Sequence, residues 1–120
     1  MRVLVIDDDA DVLRLLGIKL GKEGHQIVTA VDGTAAVARL DEHEPELVIL
    51  ETAIPGTPGL EVVSAAKAQT PTPLVIILSH QDDDASIAAG LAAGADDYVT
   101  KPFSPRALSE RIRITAIRTA

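Results

Sequence analysis

Apolar and polar positions along this chain alternate between two periods. Short β-branched runs stand at "RVLVI" (2–6), "QIVTA" (26–30), "LVIL" (47–50) and "PLVIIL" (73–78), with a shorter "DYVT" at 97–100. Runs of this length and composition read as strands. Between them, apolar residues recur at helical spacing. In "DDDADVLRLLGIKLGKEG" the residues Val12, Leu13, Leu16 and Leu20 share a face, Asp8 or Asp9 can cap the start, and Gly24 suits the C′ position. "DGTAAVARLDEH" is a second helix with Val37 and Leu40 on its apolar side. Helices follow at 58–69, at 83–94 (closed by Gly94) and at 104–118, where Ser104 is the N-cap and Pro105 takes N1.

Five strand–helix units in strict alternation predict an α/β fold: a five-stranded parallel sheet with helices on both faces. The first, third and fourth strands are apolar throughout, as strands buried on both faces should be. A chain of 120 residues fits one domain with one core, and there are no repeats, low-complexity segments or linkers. One domain over 1–120 is expected, with any further domain lying outside this chain.

Composition narrows the chemistry. Tyr98 and Phe103 are the only aromatic residues, so the core must be aliphatic. The absence of cysteine excludes disulfides, thiolate nucleophiles and Cys-ligated zinc. No apolar run approaches the ~18 residues of a membrane span, and "MRVLVIDDD" lacks a signal-peptide core. A soluble cytoplasmic domain without membrane contact is the expectation. The net charge of −7 is uneven: residues 1–100 carry 17 acids and 6 bases, and residues 101–120 carry five bases and Glu110 alone. So acidic a body is a poor partner for nucleic acid.

In open parallel sheets the functional crevice lies beyond the carboxyl ends of the strands. Residues at those ends are Asp7 and Asp8 after the first strand, Glu51 after the third, Ser79 after the fourth, and Thr100 and Lys101 after the fifth. Three carboxylates, a hydroxyl and an ammonium are thereby expected at one edge. Two carboxylates ~4 Å apart repel by about 4 kcal/mol at an effective dielectric of 20. The cluster needs a cation, either Lys101 or a hard oxygen-seeking ion such as Mg²⁺. A metal, a lysine and a hydroxyl around a carboxylate are also the parts that stabilise a phosphoryl group in transfer.

These residues resemble the receiver domains of two-component response regulators, with the CheY-like fold, over essentially the whole chain. "VLVIDDDADVLRLL" is similar to the family's opening strand with its acidic pair, "ELVIL…PG…GLEV" to its phosphoacceptor strand and loop, and "LAAGADDYVTKPFSPRAL" to its most recognisable stretch. The resemblance implies the strand order 2-1-3-4-5. It implies that Asp8 binds Mg²⁺ directly, Asp7 largely through water, and the Ala53 carbonyl as the third protein ligand. It assigns Ser79 and Tyr98 as switch residues, Tyr98 turning inward on activation, and Lys101 as the lysine that pairs with the phosphoryl group. It also implies a cis Lys101–Pro102 bond.

The resemblance places the phosphoacceptor at Glu51, where the family has aspartate. The extra methylene adds about 1.5 Å of reach. That pushes the carboxylate into the volume of a metal or an aspartyl phosphoryl group, within reach of Lys101. Glu51 is thus a partial mimic of the phosphorylated residue, with fewer oxygens and less charge. The expectations are a receiver not switched by phosphorylation at Glu51, with Mg²⁺ binding weakened and Glu51 itself a candidate ligand. If Glu51 mimics the activated state, Tyr98 should point inward and Ser79 should be drawn towards the site. Thr57-Pro58 and His80 also depart from the family, which favours a naturally atypical receiver over an ordinary one with an engineered acceptor.

The stretch "GADDYVTKPFSPRALSERIR" is most similar to the winged-helix transcription-factor branch. The resemblance implies dimerisation through helix 4, strand 5 and helix 5, with Asp97 pairing with Arg111 and Asp96 with Arg118 between molecules. Ile87 and Ala107 replace a charge pair there, which suggests a more apolar contact. It further implies a sensor histidine kinase as partner, which Glu51 puts in doubt, and DNA contact only through an output domain absent from this chain. Two other readings compete: a stand-alone interaction module using the same face, and a small Mg²⁺-dependent phosphotransfer enzyme. The second lacks a substrate-binding insertion and a Gly-rich phosphate loop.

Overall fold

The computed structural model describes residues 1–119. Strands β1 (Arg2–Ile6), β2 (Gln26–Ala30), β3 (Leu47–Leu50), β4 (Leu74–Ser79) and β5 (Asp97–Thr100) alternate with helices α1 (Ala10–Lys22), α2 (Gly33–His43), α3 (Gly59–Lys67), α4 (Asp84–Ala92) and α5 (Pro105–Thr119). All neighbouring strands are parallel, in the order β2-β1-β3-β4-β5.

Strand side chains alternate between faces, and each face of the sheet has its own helices. Val3, Val5, Leu47, Ile49, Ile76 and Leu78 point to one side, where Leu16 and Leu20 of α1 and Leu108 and Ile112 of α5 cover them. Leu4, Ile6, Val48, Leu50, Val75 and Ile77 point to the other, packing on Ala36 and Leu40 of α2 and Val62, Val63 and Ala66 of α3. Tyr98 of β5 joins this second cluster, with Ile87 of α4 packed against it. Burial on both faces explains why β1, β3 and β4 are unbroken aliphatic runs. Each fully buried Leu or Ile contributes about 1.5–3 kcal/mol of transfer free energy.

Helix ends follow local chemistry. The Asp9 carboxylate accepts from the Asp11 N–H at 2.9 Å, so Asp9 caps α1 and Asp8 does not. Asp32 accepts from the Ala35 N–H at 2.7 Å, Asp83 from the Ser86 N–H at 3.1 Å, and Ser104 from the Ala107 N–H at 3.2 Å. The helix expected over 83–94 is shorter because Asp83 is extended in its capping role and Gly94 turns left-handed at φ 118°. The helix expected over 58–69 starts at Gly59, after the extended Pro58. The fourth strand runs 74–79 instead of 73–78. Pro73 has no N–H to give the ladder, and Ser79 stays in register with Thr100. The Lys101–Pro102 bond is cis, as is Thr70–Pro71. Among the described residues no helix is long and apolar enough to cross a membrane.

Two devices hold the loops. Gly33 opens α2 directly beneath the β3–α3 loop: its N–H donates to the Pro55 carbonyl at 2.9 Å, and a Cβ there would lie 1.8 Å from the Thr57 carbonyl oxygen. At the opposite end of the sheet, the Lys67 ammonium donates to Asp96 at 2.8 Å and to the Pro73 carbonyl at 2.9 Å. Asp96 also accepts from the Val75 N–H at 2.8 Å, which ties α3, β4 and β5 together.

Candidate functional site

The register of the sheet brings the candidate residues together. Ile6 pairs with Leu50, so the next residues, Asp7 and Glu51, leave the sheet side by side. Main-chain bonds fix their exits: the Asp7 N–H donates to the Ala30 carbonyl at 3.1 Å, and the Glu51 N–H to the Ile6 carbonyl at 2.9 Å. Across the sheet, the Lys101 N–H donates to the Ser79 carbonyl at 2.8 Å. This aims the lysine side chain back over the strand ends.

The Lys101 ammonium bridges the two acids. It lies 2.7 Å from Asp7 Oδ2 and 3.3 Å from Glu51 Oε1, and the three side chains are only 3–6 % exposed. Glu51 takes further donors. The His80 N–H reaches Oε1 at 3.4 Å and the Ala53 N–H reaches Oε2 at 3.3 Å, and the nearby Ser79 side chain favours the charged carboxylate. Burial works against the charge on Glu51, but Ser79, the Ala53 N–H and Lys101 outweigh it and hold the carboxyl below its ordinary 4.5. Burial likewise opposes the charge on Lys101. Its contacts with Asp7, then Glu51, hold the ammonium above its ordinary 10.5. Among the described residues no buried side-chain polar atom lacks a partner.

Asp8 stands apart from this group and is exposed. The sequence pattern puts three carboxylates at one edge, but the structure joins only Asp7 and Glu51 through a cation. The second oxygen of Asp7 accepts from the Asp9 N–H at 3.0 Å. Every carboxylate oxygen of Asp7 and Glu51 therefore already has a donor. Among the described residues no three acidic or histidine side chains are grouped so as to hold a metal ion. Lys101 holds one oxygen of each carboxylate, Asp7 Oδ2 and Glu51 Oε1, and a divalent cation drawn to these acids would compete with it there.

A residue with no motif of its own connects the site to β5. The Gln81 N–H donates to Ser79 Oγ at 3.1 Å, and the Gln81 carbonyl accepts from the Tyr98 hydroxyl at 2.6 Å. The Gln81 side chain accepts from the Thr52 hydroxyl at 3.1 Å, linking the two loops that flank Glu51. Two of these three contacts use main-chain atoms, so no residue type at position 81 signals them. Tyr98 is 9 % exposed and turned into the core.

On the outer face of α4, β5 and α5, Asp97 and Asp96 both have partners within the chain. Arg111 grips Asp97 of its own chain in a fork, at 2.8 and 2.6 Å. Asp96 is engaged by Lys67 and the Val75 N–H. The reason is proximity: Arg111 lies over β5 of its own chain, and Lys67 ends α3 beside the start of β5. Arg118 and Ala107 are exposed, and Ile87 is half-buried. Ile114, three residues beyond Arg111, and Leu91, four beyond Ile87, expose 37 % and 45 % of their surfaces.

Comparison with known proteins follows the same geometry. Residues 3–113 match the family model of the response regulator receiver domain. The DNA-binding response regulator MtrA of Mycolicibacterium paratuberculosis is 39 % identical over 112 residues, covering 93 % of this chain and 49 % of MtrA. The alkaline phosphatase synthesis transcriptional regulatory protein PhoP of Bacillus subtilis is 34 % identical over 112 residues, covering 93 % of this chain and 47 % of PhoP. The chain thus spans about half the length of both. The BeF3-activated receiver domain of DrrB superposes with a TM-score of 0.88 at 34 % identity, covering 96 % of each chain. DrrB is described as a Thermotoga maritima OmpR/PhoB homologue.

Proposed function

The chain belongs to the response regulator receiver domain family, and on that premise we propose that it is a receiver whose switch is held by Glu51 itself, without phosphoryl transfer. It is related to transcriptional regulators, and the relatives named above are response regulators, not enzymes. The observation that carries the proposal is the set of donors on one carboxylate, Lys101 and the N–H groups of Ala53 and His80, beside a Ser79 side chain that favours its charge. Lys101 and Ser79 are the groups that the family resemblance assigns to the phosphoryl oxygens. A glutamate reaches them unaided because of its extra methylene. The inward Tyr98, joined to Ser79 through Gln81, accords with a site held in one state.

Receiver domains typically bind Mg²⁺ at this site. Here the ion has to displace Lys101 from two carboxylates, so binding weaker than in an aspartate-bearing receiver is expected. A histidine kinase is then not needed to set the switch. The output is transcription through a DNA-binding domain, as suits a chain that spans about half of the DNA-binding response regulator MtrA. Dimerisation uses the outer face of α4, β5 and α5. With Asp96 and Asp97 neutralised within the chain, the contact there rests on Leu91, Ile114, Ile87 and Ala107 more than on ion pairs.

The test is incubation with acetyl phosphate and Mg²⁺, followed by intact-mass measurement. An unchanged mass is expected. A stoichiometric, base-labile phosphoryl adduct on Glu51 overturns the proposal.

A further inference from the structure

Gly90 lies in the last turn of α4 and is buried. Glycine is disfavoured within a helix relative to alanine. Its backbone does not explain its presence, because the positive φ values belong to Gly24, Gly56, Gly94 and Glu44. The space around it does. A Cβ at Gly90 would lie 2.6 Å from Ile77 Cδ1 and 3.1 Å from both Cδ2 and Cε2 of Tyr98. Gly17 and Gly21 of α1 offer a contrast, since a Cβ at either meets nothing within 4 Å.

We propose that Gly90 is a positioning residue for Tyr98: the missing side chain is the seat that admits the phenol ring to the core. The ring is held by two further contacts. Ile77 is its register partner on β4. Its hydroxyl is tethered to the Gln81 carbonyl at 2.6 Å, so the ring cannot slide away from α4 without giving up that bond. Displaced from this seat, the ring would turn to the open groove of about 280 Å³ between β5 and α5 that it already borders with Phe103, Ala107 and Arg111. Side-chain size at position 90 therefore sets the balance between the two positions. The control is steric and acts from α4, and it stands whether or not Glu51 accepts a phosphoryl group.

Tyr98 is the only tyrosine and there is no tryptophan, so intrinsic emission reports this ring alone. Acrylamide quenching of that emission is compared in wild type, Gly90→Ala and Gly21→Ala. The expected result is weak quenching in wild type and Gly21→Ala, and a several-fold larger quenching constant in Gly90→Ala. Quenching of Gly90→Ala equal to wild type overturns the proposal. A thermal cycle with Tyr98→Leu gives a second readout. In that background the added methyl meets only Ile77 Cδ1, the movable end of a side chain, so Gly90→Ala should change the melting temperature little. In the Tyr98 background it should lower the melting temperature or prevent folding. Equal effects in both backgrounds overturn the proposal, as does failure to fold in both.

Discussion

Replacing Lys101 with methionine keeps most of the side-chain volume and removes the cation shared by Asp7 and Glu51. Both carboxylates are then left unpaired in an environment where their side chains are 3 and 6 % exposed. Removing one partner of a buried ion pair costs about 3–5 kcal/mol. For a domain of this size that corresponds to a fall of roughly 10–20 °C in melting temperature. The pH dependence gives a sharper signature. In wild type, Glu51 titrates below its ordinary 4.5, so its contribution is fully present above that value and is lost as pH falls through the lowered one. Lys101 titrates above 10.5, so its contribution is fully present below that value and is lost as pH rises through the raised one. Neither group titrates between about pH 5 and about pH 10, and their joint contribution is flat there. In the variant, the burial of Glu51 is no longer offset by the Lys101 charge, and its carboxyl pKa rises. The folded state then binds more protons than the unfolded state, so variant stability rises as pH falls. Urea unfolding followed by circular dichroism at about pH 7 and about pH 5 measures this, with a deficit that shrinks at the lower pH. A deficit below about 1 kcal/mol, or one that is the same at both pH values, refutes the reasoning.

Other substitutions test other links. Gly33→Ala forces a methyl into the Thr57 carbonyl and must move the β3–α3 loop; a loss of about 1–3 kcal/mol or more by urea unfolding is expected, and a change within ±0.5 kcal/mol contradicts the packing argument. Lys67→Met leaves Asp96 with only the Val75 N–H from β4 and should cost about 1–3 kcal/mol; an unchanged unfolding midpoint shows the clamp to be idle. Arg111→Ala breaks a partly exposed pair worth about 0–1 kcal/mol, so fold stability should barely change. Sedimentation of wild type should reveal a dimer that survives Arg111→Ala with modest weakening, and identical monomeric behaviour of both proteins refutes the proposed face.

Much of the fold is legible because it rests on local signals. The aliphatic runs of β1, β3 and β4 are continuous only because two helical layers cover them, and Asp9, Asp32, Asp83 and Ser104 mark helix starts by the bonds they make. Element ends shift by one or two residues where a cap or a proline decides, as at Asp83 and Pro73. The site is legible as a list of strand-end residues, but its internal pairing is not. That Lys101 takes Asp7 and Glu51 while Asp8 faces solvent depends on side-chain directions at the sheet edge. The Asp96–Lys67 pair joins residues 29 apart that meet only because α3 ends beside β5. Spacing alone cannot tell an Arg111–Asp97 bond within a chain from one between chains. Gln81 acts mostly through its main chain, so residue type hides it. Gly90 did carry a readable signal: a glycine inside a helix, where its cost of about 1 kcal/mol relative to alanine asks for a packing reason.

The central claim is that Glu51 already holds the donors a phosphoryl group would take, with Tyr98 drawn in. Acrylamide quenching of the single tyrosine, measured before and after addition of acetyl phosphate and Mg²⁺, tests it most directly. The account predicts a protected ring in both conditions, with the same quenching constant. A ring that is open to quencher at first and becomes protected when the phosphodonor is added contradicts it.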